Sequence, residues 1–263
     1  MDLQLTDKTA LVTGATGGIG LDIARALAVE GARVIITGRN QAKLDAAIEG
    51  IRAAGGAGVR GVLADVATAA GATALIQAVD QVDILVNNLG IYESKAFADI
   101  TDADWAHLFE VNVMSGVRLA RAYLPGMLAR DWGRIIFISS ESGLAIPQDM
   151  IHYGMTKTAQ LAVSRGLAQL TRGTRVTVNS VLPGPTRSDG VVEFLRSQAK
   201  DPAAPIEQIE AEFFATARSA SILQRMVEAD EIANMVAYLA SPRSSATNGA
   251  ALRAEGGLVN TIA

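Results

Sequence analysis

Short apolar runs alternate with longer amphipathic stretches along most of this chain. Thr9 to Thr13 reads as a strand and passes through a glycine-rich segment into a helix-period pattern carried by Ile23, Leu27 and Val29. Arg33 to Thr37, Val59 to Ala64, Val82 to Val86, Gly133 to Ser139, Arg175 to Val181 and Ala250 to Ala254 are the further strand candidates. Helical periodicity covers residues 41–54, 102–130, the stretch from Tyr153 to Leu170, and Glu228 to Leu239. Continuous apolar strands separated by helices predict an α/β fold, a parallel sheet with helices on both faces. Residues 188–225 depart from this alternation. They keep a helical period but carry more charge, break at Asp201-Pro202 and Pro205, and include Phe194, Phe213 and Phe214. Two readings stay open for them, a lid over a pocket or a helical hairpin used for packing or subunit contact. No repeat, low-complexity tract or linker divides the chain, so one domain is expected over residues 1–263.

Composition narrows the function classes. Apolar residues make up 49% of the 263, and the net charge is −4 with both signs mixed, which argues against a broad nucleic-acid or membrane surface. The chain has no cysteine and only two histidines, His107 and His152, so neither a thiolate nor a histidine-rich metal centre is expected. No apolar run reaches membrane-spanning length, the first residues lack a signal pattern, and the cytoplasm is the expected location.

The candidate chemistry lies where strands end. The first strand runs into Thr13-Gly14-Ala15-Thr16-Gly17-Gly18-Ile19-Gly20, a turn that lets backbone approach a pyrophosphate at a helix N-terminus. Gly38-Arg39-Asn40 follows the second strand. A carboxylate there binds a ribose 2′-hydroxyl and an Arg accommodates a 2′-phosphate, and no acid is present. Asp65 and Asn87 end the next two strands, either as ligand contacts or as caps and turn formers. Asn112 sits in an apolar helical context, where it is either a hydrogen-bonded core residue or the mark of a backbone kink or bound water. Ser140 follows the fifth strand. Tyr153 and Lys157 are spaced to share one helix face, so a Lys ammonium beside the phenol is expected to lower a pKa whose reference value is about 10. Pro183-Gly184-Pro185-Thr186 forms a rigid turn after the sixth strand.

Together these motifs resemble the short-chain dehydrogenase/reductase family, in its branch of roughly 250 residues, over nearly the whole chain. The matches are T-G-A-T-G-G-I-G at 13–20, D-V at 65–66, N-N-L-G at 87–90, Asn112, Ser140, Y-G-M-T-K at 153–157 and P-G-P-T at 183–186. The resemblance implies a Rossmann-type doubly wound seven-stranded parallel sheet in the order 3-2-1-4-5-6-7. It also implies hydride transfer between a nicotinamide and a carbonyl or secondary alcohol. In that scheme Tyr153 is the general acid/base, Lys157 lowers its pKa and bonds the nicotinamide ribose, Ser140 polarises the carbonyl, and Asn112 holds a water in a proton relay. The implied cofactor contacts are Gly14, Thr16, Gly18, Ile19, Gly20, Arg39, Asp65, Val66, Asn87, Gly90, Tyr153, Lys157, Pro183, Gly184 and Thr186. Two departures stand out. Leu89 replaces the family's usual Ala and either crowds the site or points into the core, and Glu255-Gly256-Gly257 stands for a late D-G-G. Glu141 and His152 flank the motif residues, either as substrate neighbours or as solvated or capping groups, and no catalytic role is assigned to them.

Gly38 and Arg39 predict NADP(H) in preference to NAD(H), with NAD(H) still usable because Thr16 and Gly17 offer no second basic residue in the turn. A homotetramer is expected from Leu119, Ala122, Tyr123, Leu161, Val163 and Leu167 on the two long helices, with the tail Leu258 to Ala263 as a further contact. Two alternatives remain. A non-catalytic NADP-binding regulator is expected to have lost Tyr153 or Lys157. A 3-oxoacyl-carrier-protein reductase tends to carry basic residues where this chain has Asp131 or Trp132 and Thr174, although Arg130, Arg172 and Arg175 are near.

Overall fold

A computed structural model describes residues 1–262. The chain runs β1 (Thr9–Val12), α1 (Gly18–Val29), β2 (Arg33–Gly38), α2 (Gln41–Ala53), β3 (Val59–Leu63), α3 (Ala69–Ala78), β4 (Ile84–Asn87) and α4 (Asp102–Phe109). A π-helical turn, Glu110–Met114, joins α4 to α5 (Ser115–Ala129). Then come β5 (Gly133–Ile138), α6 (Ile151–Gln169), β6 (Val176–Pro183), α7 (Asp189–Gln198), α8 (Ile206–Ala215), α9 (Ala229–Ala240) and β7 (Ala251–Ala254). Among the described residues the strands form one seven-stranded sheet, ordered β3-β2-β1-β4-β5-β6-β7, with every neighbouring pair parallel. This is the expected doubly wound Rossmann-type architecture, with its order reversing between β1 and β4.

Strand parity sorts the core into two layers. Leu11 lies opposite Ile35 and Leu85, and these join Ile135, Phe137 and Val178 against Leu75, Leu119, Tyr123 and Met127 of α3 and α5. Val12, Ile36, Val86 and Ile136 point the other way, onto Ile23 and Leu27 of α1, Leu44 and Ile51 of α2, and Val236 of α9. Burying one such Leu, Ile or Val contributes about 1.5–3 kcal/mol. Side chains fix several helix starts. Asn40 accepts from Lys43 N at 3.0 Å, Thr68 accepts from Gly71 N at 3.0 Å, and Thr101 with Asp104 forms a capping box.

Five expectations change in detail. The 102–130 helix holds the π turn, one extra residue in its winding, at Asn112. The fourth strand starts two residues later than read, at Ile84, and just before it the Asp83 carboxylate accepts from Thr9 N at 2.9 Å. The sixth strand continues through Pro183, which pairs with Ala254. Leu119 and Tyr123, read as free for a partner subunit, are buried in their own chain, where Tyr123 Oη donates to Val79 O at 2.8 Å. Leu258 and Val259 are likewise buried, their N–H groups donating to the Glu255 carboxylate, while Ala263 lies outside the described residues. Residues 188–225 supply α7 and α8 with a small core of their own, Leu195, Ala204, Ile209, Phe214 and Met226.

At the far edge of the sheet, Arg134 is buried in β5. Its Nη1 donates to Gly133 O at 2.9 Å and Arg175 O at 2.8 Å, its Nε donates to Ser241 O at 3.3 Å, and its guanidinium lies 4.8 Å from the Trp132 ring centroid. Burial lowers its pKa to about 10, so it stays charged at neutral pH. Arg134→Ala orphans these carbonyls and leaves a cavity. We expect a loss on the order of 3 kcal/mol, seen as a lower urea midpoint at unchanged slope. An unmoved midpoint would show that these bonds do not hold β5 to its neighbours.

Candidate active site

The carboxyl ends of β1, β4, β5 and β6 open on a cleft of about 780 Å³. Gly14 (φ +62°) and Gly18 (φ +55°) turn the chain from β1 into α1 in the left-handed region that side chains disfavour. The first turn of α1 has no side-chain cap, so its N–H groups face the cleft free for an anion. Asn88 fixes this turn by donating from Nδ2 to Thr13 O at 2.9 Å and Gly14 O at 3.1 Å, while Asn88 N and Leu89 N donate to Thr13 Oγ1. A Cβ on Gly20 would lie 2.4 Å from that Asn88 amide, so the close approach requires glycine. An uncapped helix start beside a cradle that side chains would fill fits the pyrophosphate of a dinucleotide.

The polar cluster lies on the neighbouring wall. Tyr153 and Lys157 share one face of α6, with Lys157 Nζ 5.5 Å from the Tyr153 ring centroid and donating to Ile138 O at 3.0 Å. Ser139 Oγ donates to Lys157 O at 2.8 Å, which ties α6 to the end of β5. Ser140 Oγ donates to Glu141 Oε2 at 2.5 Å and accepts from Ser142 N at 3.1 Å. In the π turn Asn112 is fully engaged with its neighbours. Nδ2 donates to Ile91 O and Thr156 Oγ1, both at 2.9 Å, Oδ1 accepts from Ile91 N at 2.8 Å, and its backbone carbonyl accepts from Gln160 Nε2 at 2.7 Å. Asn112 is thus both a satisfied buried amide and the site of a backbone irregularity. A Cβ on Gly90 would stand 3.4 Å from Lys157 Nζ and 3.5 Å from Asn112 Oδ1, so Gly90 leaves room between them.

The electrostatics correct one expectation. The Tyr153 pKa is raised, first by burial and then by the Glu141 carboxylate, with the Ser140 hydrogen bond and Arg218 acting the other way. The Lys157 ammonium sits beside the ring and is bonded to Ile138 O. Lys157 is itself desolvated, and burial lowers its pKa to about 8 against an opposing pull from Glu141.

Of the residues read as cofactor contacts, Gly14, Thr16, Gly18, Ile19, Gly20, Gly90, Tyr153, Lys157, Pro183, Gly184 and Thr186 line the cleft. Arg39 is exposed at the end of β2. Asp65 is exposed in a turn, its Oδ1 accepting from Ala67 N at 3.3 Å, and Val66 is buried in the core. Asn87 is buried against α5, where a Cβ on Gly116 would come within 3.3 Å of its Cγ, and its side-chain amide has no hydrogen-bond partner among the described residues. Leu89 does both things left open for it, packing on the core and reaching toward Gly14 in the cleft wall. His152 is fully buried, with Trp105 edge-on at 5.9 Å and Glu93 3.5 Å from Nε2, so it neither meets the cleft nor is solvated.

Five cleft residues were missed or left without a role. Asn88 was legible from parity, since Asn87 shares the parity of Leu85 and must face α5, leaving the next residue to face the turn. Lys43, in the first turn of α2, lines the cleft. Glu141, only 4% exposed, and Arg218 from beyond α8 lie 3.5 Å apart, and no local pattern joins positions so distant in sequence. Tyr92 lies edge-on to Tyr153 at 6.3 Å and to Phe194 at 5.5 Å, forming an apolar wall.

Comparison with known proteins agrees with this geometry. A profile described as short chain dehydrogenase matches residues 8–199. The chain is 49% identical over 263 residues to the uncharacterized oxidoreductase YvaG of Bacillus subtilis (strain 168), covering 100% of both chains. It is 34% identical over 261 residues to the D-beta-hydroxybutyrate dehydrogenase of Cupriavidus necator, covering 97% of this chain and 99% of that one. The crystal structure of L-sorbose reductase from Gluconobacter frateurii, complexed with NADPH and L-sorbose, matches with a TM-score of 0.93 at 30% identity and 100% coverage of both chains. By the profile match and by full-length identity, this chain belongs to the short-chain dehydrogenase/reductase family of oxidoreductases.

Proposed function

We propose that this oxidoreductase transfers a hydride between NADP(H) and a carbonyl or secondary alcohol, with carbonyl reduction the direction its site favours. One observation carries the reading: Tyr153, Lys157 and Ser140 converge at the strand ends beside an uncapped, glycine-lined helix start. The nicotinamide supplies or accepts the hydride. Gly14, Thr16, Gly18, Ile19 and Gly20 hold its pyrophosphate end, and Pro183, Gly184 and Thr186 hold its nicotinamide end. Burial and Glu141 keep the Tyr153 phenol protonated, the form that donates to a carbonyl oxygen in reduction. Ser140 donates to the same oxygen and stabilises the charge growing on it. Lys157 would bond the ribose, and a water held at Asn112 would connect Lys157 to solvent as a proton relay. Residues 188–225 form the lid of a single domain, with Phe194, Phe213 and Arg218 facing the cleft. The carrier-protein reading is disfavoured, because Arg175 is paired with Asp131 at 3.0 Å and Arg130 donates to Val82 O at 2.9 Å.

Preference for NADP(H) rests on Arg39 and Gly38, as the sequence suggests, and on Lys43, the second basic residue that the glycine turn lacks. The assembly we attach to this reading is a homotetramer. Its contact surface is moved from the buried Leu119 and Tyr123 to the partly exposed Phe109, Leu161 and Leu170.

Three outcomes test these statements. Tyr153→Phe should keep the fold and NADPH binding but lose at least about a hundredfold in kcat, measured by NADPH absorbance with a ketone panel. Near-normal turnover would remove Tyr153 from the mechanism. Arg39→Ala and Lys43→Ala should each raise the KM for NADPH about tenfold and leave that for NADH nearly unchanged. Gly38→Asp should reverse the preference once Thr16→Ala is added, since a Cβ at Gly38 would meet Thr16 Cγ2 at 2.4 Å. Equal losses for both cofactors would exclude a 2′-phosphate site. Light scattering at micromolar concentration should give four times the chain mass of 27.4 kDa, and a monomer mass would refute the assembly.

A further inference from the structure

A buried carboxylate beside the serine that polarises the carbonyl is a costly arrangement, and Glu141 makes it specific. Its Oε2 accepts from Ser140 Oγ at 2.5 Å, and its Oε1 accepts from Ser142 Oγ at 3.2 Å. Its counter-ion comes from the lid, as Arg218 Nε lies 3.5 Å from Oε1, with the guanidinium 5.4 Å from the Phe213 ring centroid. Both groups line the cleft with Tyr153, and both bear on the Tyr153 phenol. In this arrangement the hydroxyl that Ser140 must offer to a carbonyl oxygen is hydrogen-bonded to Glu141. A substrate that offers Glu141 another donor frees it.

Resting on the carbonyl-reduction reading, we propose that Glu141, held by Arg218 of the lid, selects a neutral carbonyl substrate bearing a hydroxyl on the carbon next to the carbonyl. That hydroxyl donates to Glu141 in place of Ser140, and the Ser140 proton turns to the carbonyl oxygen. The substrate class is therefore an α-hydroxyketone, of which a ketose is one kind. A plain ketone brings no such donor and leaves Ser140 turned away. An α-keto acid puts its own carboxylate against Glu141, and like charges at that distance repel. The cleft wall also carries Tyr92 and Phe194, edge-on at 5.5 Å, an apolar face with one phenol. A site built to take a substrate hydroxyl discriminates strongly against the analogue lacking it, because its polar group is then left without its partner.

The test uses matched substrates with NADPH and with NADH: butanone, its hydroxyl derivative and oxobutanoate, together with the three corresponding phenyl ketones. In the unmodified protein kcat/KM for the hydroxyketone should exceed that for the plain ketone by about tenfold to a hundredfold, and the keto acid should be poorest. Glu141→Gln keeps the size and removes the charge, and it should cut the hydroxyketone-to-ketone ratio at least about tenfold and raise the relative rate of the keto acid. A ratio unchanged in Glu141→Gln, even with overall activity reduced, would mean that Glu141 only supports the wall, and the proposal fails. If Glu141→Gln does not fold, the unmodified protein decides, and a preference for the plain ketone or the keto acid overturns the proposal. Turnover of plain ketones without a hydroxyl preference sinks this inference alone. No turnover of any of the six sinks it together with the carbonyl-reduction reading.

Discussion

A parallel sheet covered by helices on both faces leaves its backbone polar groups free only where strands end. That constraint organises this protein. Every strand runs the same way, so all the carboxyl ends lie on one edge, and the residues that follow them are the ones able to meet a ligand. Gly14 after β1, Gly90 after β4, Ser140 after β5 and Thr186 after β6 all line one cleft for this reason. Helix α6 brings the remaining two groups there, Tyr153 and Lys157. Its register is fixed by bonds to β5, from Ser139 to the Lys157 carbonyl and from the Lys157 ammonium to the Ile138 carbonyl.

Much of this was legible in the sequence because it depends on local periodicity. The apolar runs gave the strands, and the glycines between Thr13 and Gly20 marked the first turn. The i, i+4 spacing of Tyr153 and Lys157 put them on one helix face. Errors arose where a residue's role depends on direction rather than position. Asn87 ends a strand as read, yet strand parity sends it to α5 and gives the turn to Asn88. Leu119 and Tyr123 have the right helical phase for a partner, but their own sheet already covers them. Glu141 and Arg218 were the least accessible, since a lid residue meets a strand-end residue only once the whole chain is folded.

Charge in the site obeys a different logic from the one that spacing suggests. A Lys beside a Tyr lowers the phenol's pKa only if it stays charged and close to the oxygen. Here the ammonium is desolvated and engaged by a backbone carbonyl, and burial and the Glu141 carboxylate push the phenol's pKa up. The same burial that strengthens hydrogen bonds in the cleft also disfavours the ionised form of both groups. The phenol therefore rests as an acid, and Ser140 rests with its hydroxyl donating to Glu141.

The π turn at Glu110–Met114 has a consequence beyond its own five residues. One extra residue in a helix advances the winding by about 100°, since an α-helix has about 3.6 residues per turn. Upstream of Asn112, Trp105 of α4 meets α6 at His152, while downstream Leu119, Tyr123 and Met127 of α5 lie on the sheet. The turn works as a phase shifter between two packing partners. Losing a single residue there is not a local deletion of the kind a surface loop absorbs, because it rotates every later side chain of α5 off the core. Chain length at this point is thus fixed by geometry, independently of which amino acids occupy it.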